Sequence, residues 1–296
     1  MLPTNPTPED DLRQLDEELA GIDNLDFPVA PAPTRVARLW AGLWPKLAAA
    51  GLFFAIWQVL VWSHWRPDYI LPGPGPVFRE LWHGLRHGDL VRAIGVTMRR
   101  AAIGYGSAIV VGSVIGLAVA RNRILRAAIA SMITGLQTMP SIAWFPLAIV
   151  LFKLSEGAIT FVVIIGAAPA IANGLISGID NIPPLLLRAG RVLGARGFAA
   201  YRHVVLPAAL PGFVSGLKQG WAFAWRSLMA GELLVIIAKR PSLGQQLDFA
   251  RQNAAYAQLM ATMIVILVIG IVIDGVFFGR LERTIRRRWG LVDSGV

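Results

Sequence analysis

The sequence predicts an all-α, polytopic membrane protein with about six transmembrane helices, on three observations. Of 296 residues, 55% are apolar and 16% charged, where a soluble domain carries about 25% charged residues. Mean hydropathy is +0.57, and apolar stretches of membrane-crossing length recur along the chain. Basic residues cluster beside those stretches, as membrane orientation requires.

The spans are placed in order at about 47–62, 101–120, 127–152, 158–176, 211–238 and 257–278. The third is broken at Met139-Pro140 and again at Pro146, so it reads as a broken or re-entrant helix. The fifth carries Gly212, Gly216 and Gly220, and the second Gly112 and Gly116. Small residues at this spacing let helix backbones approach closely in lipid. Segment 66–100 carries six bases and patterns as amphipathic helices lying on a surface.

The net charge of +10 has two unlike sources. Residues 1–34 hold eight acids and one base, Arg13, and are rich in proline. Such a stretch buries little, and residues 1–40 are expected to be a disordered cytoplasmic tail, with the transmembrane domain over 41–290. Residues 35–296 carry 27 bases and 10 acids. With the amino terminus cytoplasmic, fifteen bases flank the spans inside and ten outside, which places both termini inside. The basic balance thus reports membrane orientation and gives no ground for a nucleic-acid partner.

There is no cysteine, which excludes a thiolate metal site and a cysteine nucleophile. The four histidines have no metal-ligand spacing beyond the i, i+4 pair His83 and His87, so no metal site is expected. No GxSxG elbow and no carboxylate pair within a span speak for a membrane enzyme. Nothing matches GxxxxGK[ST], so the chain has no P-loop with which to hold ATP.

Residues 184–207 form a basic amphipathic loop with Gly194 in the middle and a Leu206-Pro207 stop. A helix–glycine–helix elbow fits it. Phe198 and Tyr201 suit either docking to a soluble partner or anchoring at the membrane interface. In the fifth span Lys218, Trp225 and Glu232 share one helix face, Trp221 lies a turn before Trp225, and Arg226 falls near mid-span. Intramembrane charges either face a cavity or pair with one another. Asp274 is expected to pair with Arg280. Met139-Pro140 is either a hinge over a pathway or a packing kink.

The 184–207 loop resembles the EAA loop of ABC importer permeases: EAA, three residues, glycine, nine residues, Ile-x-Leu-Pro. Arg188-Ala189-Gly190 stand for EAA, Gly194 for the glycine, and Val204-x-Leu206-Pro207 for the end; Ala195, Phe198 and Tyr201 lie between. Arg188 departs from the usual Glu. The resemblance covers about residues 45–290, including Tyr69-Ile-Leu-Pro-Gly-Pro and Phe249-Ala-Arg-Gln-Asn253, and is greatest to the sulfonate/taurine/nitrate branch. It implies a type I ABC importer permease fold in a bacterial inner membrane. It also implies a coupling loop seated on a dimer of separate ATPase subunits, which bind the ATP and magnesium, no cofactor being bound by this chain. An extracytoplasmic substrate-binding protein and a second permease copy, as a homodimer, complete the machine. The transported species is expected to be an aliphatic sulfonate or taurine, with nitrate, bicarbonate or a vitamin precursor as alternatives. An ATPase-independent channel or carrier is the alternative from another class.

Overall fold

The computed structural model describes residues 35–237 and 240–288. Most of the expected acidic tail lies outside the described residues, as do the end of the chain and Lys239. The described residues are helical and contain no strand. In chain order the helices are α1 (Arg35–Trp62), α2 (Pro74–His87), α3 (Asp89–Arg121), α4 (Arg123–Thr138) and α5 (Phe145–Phe152). There follow α6 (Glu156–Asp180), α7 (Pro184–Val192), the single turn α8 (Gly197–Ala200), α9 (Leu206–Leu234), α10 (Leu243–Gln252), α11 (Tyr256–Val272) and α12 (Gly279–Arg288). They fall into two compact units divided after Ile56.

Among the described residues, four helical stretches are long and apolar enough to cross a membrane: Leu43–Trp62, Asp89–Arg121, Glu156–Asp180 and Tyr256–Ile285. The pair Ile124–Thr138 and Ser141–Phe152, bent by 103°, makes a fifth if it is one span. At 29 residues α9 is long enough as well, but Lys218, Gln219, Arg226 and Glu232 dilute its apolarity. Leu52, Val59, Val110, Val114, Val150 and Leu267 are exposed apolar residues, as lipid-facing helix surfaces require.

Two boundaries differ from the sequence reading. Helix α1 is already formed at Arg35, inside the stretch assigned to the tail. Helix α3 runs unbroken for 33 residues, so Leu90 and Ile94 belong to the membrane helix and not to a separate surface helix. The break comes earlier, where Gly88 adopts φ +81 between α2 and α3. After it no Gly-Pro punctuation stops the helix, and its buried positions, Leu90, Ala93, Thr97, Arg100, Ala101 and Gly104, recur at helical spacing on one face.

Helix α6 is the most buried span, with α3 and α9 packed against it. Its Gly174 and Gly178 meet Gly216 and Gly212 of α9 backbone to backbone; a Cβ at Gly174 would overlap the Gly216 Cα. On its other flank, a Cβ at Gly116 would stand 3.0 Å from the Ala172 carbonyl oxygen. The glycine pairs flagged on α3 and α9 thus serve one shared partner helix. Ala167, Ala168, Ile171, Val162, Ala224 and Leu228 fill the core between them.

Candidate functional site

Helix α9 carries three ionisable groups, and the structure treats each differently. Glu232, in its last turn, is wholly buried. Its carboxylate accepts hydrogen bonds from Thr97 Oγ1 (2.9 and 3.1 Å), the Arg100 guanidinium (3.0 Å) and the Gly244 backbone N–H (3.1 Å). Arg100 also makes a two-pronged bond to Glu156, at 2.8 and 2.9 Å. Arg240 reaches Glu156 at 3.4 Å, and Thr97 Oγ1 accepts from the Leu243 N–H at 3.0 Å. Two arginines balance two glutamates, and all three guanidinium nitrogens of Arg100 are engaged. That is what a buried ion cluster needs to be tolerated. It pins the start of α6 and the end of α9 to α3 and to the start of α10.

Lys218 lies 3.8 Å from Asp274 and 3.9 Å from Glu282, all three half-exposed. Asp274 therefore pairs with Lys218 and not with Arg280, because α9 packs beside the 273–278 segment and α12. Trp221 is buried, its ring 5.4 Å from Tyr105, 5.7 Å from Trp225 and 6.5 Å from Phe278. Trp225 lines a groove with Leu247, Met263 and Asp274. These tryptophans fill helix junctions, which is where a large aromatic gains most by burial.

Arg226 differs from both neighbours. Its Nε donates to the Ala222 carbonyl at 3.3 Å, and its guanidinium lies over the Phe223 ring at 4.8 Å. Among the described residues no carboxylate lies within 4.0 Å of it. It lines a cavity of about 410 Å³ together with Gln137, Met139, Pro140, Ser141 and Gly166. Pro140 is why that cavity exists. It has no N–H to continue the ladder and drives Met139 into extended backbone (ψ 126). The chain restarts as a short 3-10 turn at Ser141 and then as α5, with Pro146 in its first turn. Of the residues expected along a pathway, Met139, Pro140 and Arg226 come together here. Lys218, Trp221, Trp225 and Glu232 lie elsewhere.

At the other end of α6 and α9 the 184–207 segment forms a helix, a left-handed glycine and a second helical stretch. Gly194 sits at φ +84, which favours glycine, and donates its N–H to Arg191 O at 3.1 Å. Gly190 is buried against Val204, whose Cγ2 would stand 2.8 Å from a Cβ. Arg188 and Ala189 are exposed, and Ala195 is half-buried. Phe198 (80% exposed) and Leu193 (86%) are presented outward, while Tyr201 is half-buried with Arg121 over its ring at 5.6 Å. Pro207 opens α9, whose first residue is Leu206.

Sequence reading missed Thr97, Arg100, Glu156 and Arg240. Arg100 and Glu232 stand 132 positions apart, and a lone charge at a span end carries no local pattern. The excess of bases in segment 66–100 was the available signal. Arg100 is neutralised inside the protein, and Arg92 bonds Asp89 at 2.9 Å. His83 and His87 stack at 4.0 Å, and among the described residues no group of three or more potential ligands is placed to hold a metal.

Residues 108–287 match the family described as binding-protein-dependent transport system inner membrane component. A putative ABC transporter permease protein of Methanocaldococcus jannaschii is 30% identical over 233 residues, 77% of this chain and 86% of that protein. The bicarbonate transport system permease protein CmpB of Synechococcus elongatus is 29% identical over 254 residues, 81% of this chain and 89% of its own. Among solved structures, the inward-facing MetNI methionine ABC transporter superposes with a TM-score of 0.56 at 22% identity, covering 66% of this chain and 95% of that one. The helical bundle and these matches have one conclusion: the chain belongs to the binding-protein-dependent transport family and is the membrane-embedded permease subunit of an ABC importer.

Proposed function

We propose that this permease carries a small anion, an aliphatic sulfonate or taurine, along a pathway lined by the 139–140 bend and the Arg226 face of α9. The observation that carries the reading is Arg226, a cation on a membrane-length helix whose two neighbouring charges are paired while it opens on a cavity. An unpaired charge on a helix that crosses the membrane is expensive unless water or a passing counter-ion meets it. The relative named for bicarbonate transport supports an anion and favours bicarbonate as the second reading, with nitrate or a vitamin precursor beside it.

The 184–207 elbow is the coupling loop in this reading, with Arg188, Ala189, Gly190, Gly194, Ala195, Phe198, Tyr201, Leu206 and Pro207 forming or supporting the contact. The outward Phe198 and Leu193 suit an apolar groove on a separate ATPase subunit, which supplies ATP and magnesium. Arg188, standing where Glu is usual, calls for an acidic rim on that groove. Two copies of this chain enclose the pathway, both termini face the cytoplasm, and a binding protein delivers the substrate from outside. ATP binding then shifts the balance between inward- and outward-facing states by its differential affinity for them.

The test is co-purification of the tagged chain with the ATPase and binding protein encoded beside it, followed by uptake into proteoliposomes. The reading expects ATP-dependent uptake of taurine or ethanesulfonate. Uptake without an ATPase would establish the channel or carrier alternative; ATP-driven uptake of bicarbonate alone would establish the second reading.

A further inference from the structure

We propose that the cavity at the 139–140 bend is a binding subsite for the acid group of a small organic anion, held between the Arg226 guanidinium and the Gln137 carboxamide. The inference rests on the permease reading above and deepens it, because it places part of the substrate selection in this chain.

Three observations converge on one space. Gln137 lines the cavity, and its Nε2 is buried without a hydrogen-bond partner among the described residues. A buried donor left unmade is costly, and native proteins rarely keep one without a use for it. Arg226 lines the same cavity and has its charge uncompensated by any described carboxylate. Ser141 and Thr138 add hydroxyls at the bend, although the Thr138 hydroxyl already donates to Gly135 O at 2.9 Å. The remaining walls, Leu136, Met139, Ile142 and Ala230, are apolar. Donors and a cation on an apolar wall are the composition that recognises an oxyanion bearing a carbon tail.

Size separates the candidate classes. A water takes about 30 Å³ of liquid volume, so a four-atom oxyanion such as nitrate or bicarbonate needs on the order of 60 Å³. The cavity has about 410 Å³, within the range of roughly 300–1,000 Å³ that holds small organic ligands. An inorganic ion alone leaves the apolar wall uncovered, whereas an alkyl sulfonate covers it.

The chain has no cysteine, so an introduced thiol is the single one it carries, and labelling is read on this chain alone. In the full chain purified with its ATPase, Ser141→Cys is to be modified by an anionic and by a cationic methanethiosulfonate reagent, each rate normalised to a free thiol in solution. Thr138→Cys serves as a second position should the first variant fail to fold. The expected result is a preference of about tenfold for the anionic reagent, the scale of focused local fields. Adding Arg226→Gln collapses the preference to near unity. Butanesulfonate protects the thiol, equimolar nitrate or bicarbonate does not, and Gln137→Leu weakens that protection about tenfold. A normalised ratio near one with Arg226 present, or one that survives Arg226→Gln, overturns the subsite. Equal protection by nitrate and butanesulfonate overturns the organic class. A chain that recruits its ATPase but shows no preference keeps the permease reading and loses the subsite. A preference in a chain that never recruits an ATPase keeps the subsite and rejects the coupled-importer reading.

Discussion

Two regions of α9, less than two turns apart, handle charge in opposite ways. At Glu232 the carboxylate is sealed from solvent and met by a hydroxyl, a guanidinium and a backbone N–H. At Arg226 the guanidinium opens on a cavity and, among the described residues, meets a carbonyl and an aromatic face. Six residues of helix, about 9 Å, separate a wholly buried Glu232 from an exposed Arg226. What sets the difference is the opposite wall. Glu232 faces the arginine of α3 and the first turn of α10. Arg226 faces a bend that proline has emptied of helix. In the proposed reading, a charge on α9 is structural where the neighbouring element supplies its partner, and functional where that element withdraws.

Breaking the sealed region is expected to give the largest effect. Arg100→Met leaves Glu232 buried without its counter-charge, a loss of about 3–5 kcal/mol, read as a fall in the melting temperature of the detergent-purified chain. A melting temperature within a degree of the parent's would show that Thr97 and Gly244 suffice.

Next comes the glycine crossing that holds α6 against α9. Gly174→Leu forces apart backbones that now touch at Gly216 and is expected to cost about 1–3 kcal/mol by overpacking. The yield of folded chain by size-exclusion chromatography measures it, and a normal yield would mean that the helices slide at little cost.

The elbow is expected to give a coupling defect with a smaller stability change. Gly194→Pro cannot take φ +84 and removes the N–H given to Arg191 O. ATP-driven uptake should be lost while the permease remains in the membrane. Retained uptake would remove the elbow from the coupling path. Lys218→Ala is the smallest: a half-exposed pair at 3.8–3.9 Å is worth at most about 1 kcal/mol. A loss several times larger, in the same melting assay, would move Lys218 from a rim pair into the core machinery.

Features that depend on local pattern were legible in the sequence. The Met139-Pro140 break, the left-handed Gly194 and the apolar spans each follow from residues within a few positions of one another. The glycine contact was half legible: GxxxG at Gly212 and Gly216 was noted, yet its partner is the same pattern at Gly174 and Gly178, inside a span read only for its apolarity. The Arg100–Glu156–Glu232 cluster was not legible, because its members are distant in sequence and meet only once α3, α6 and α9 have packed. The start of α3 was misplaced for a related reason. Arg99 and Arg100 look like the polar flank of a span, but burial of Arg100 beside two glutamates lets the helix carry it inward.

The central claim is that Arg226 is the functional charge of α9 while Glu232 is a structural one. It is tested most directly by measuring ATP-driven uptake of labelled taurine, ethanesulfonate and bicarbonate for Arg226→Gln in proteoliposomes, beside its melting temperature. The account predicts that uptake falls at least about tenfold, a transition-state loss of roughly 1.4 kcal/mol or more, while stability stays within about 0.5 kcal/mol of the parent. Undiminished uptake, or a loss of uptake that only follows a loss of folded protein, would contradict it.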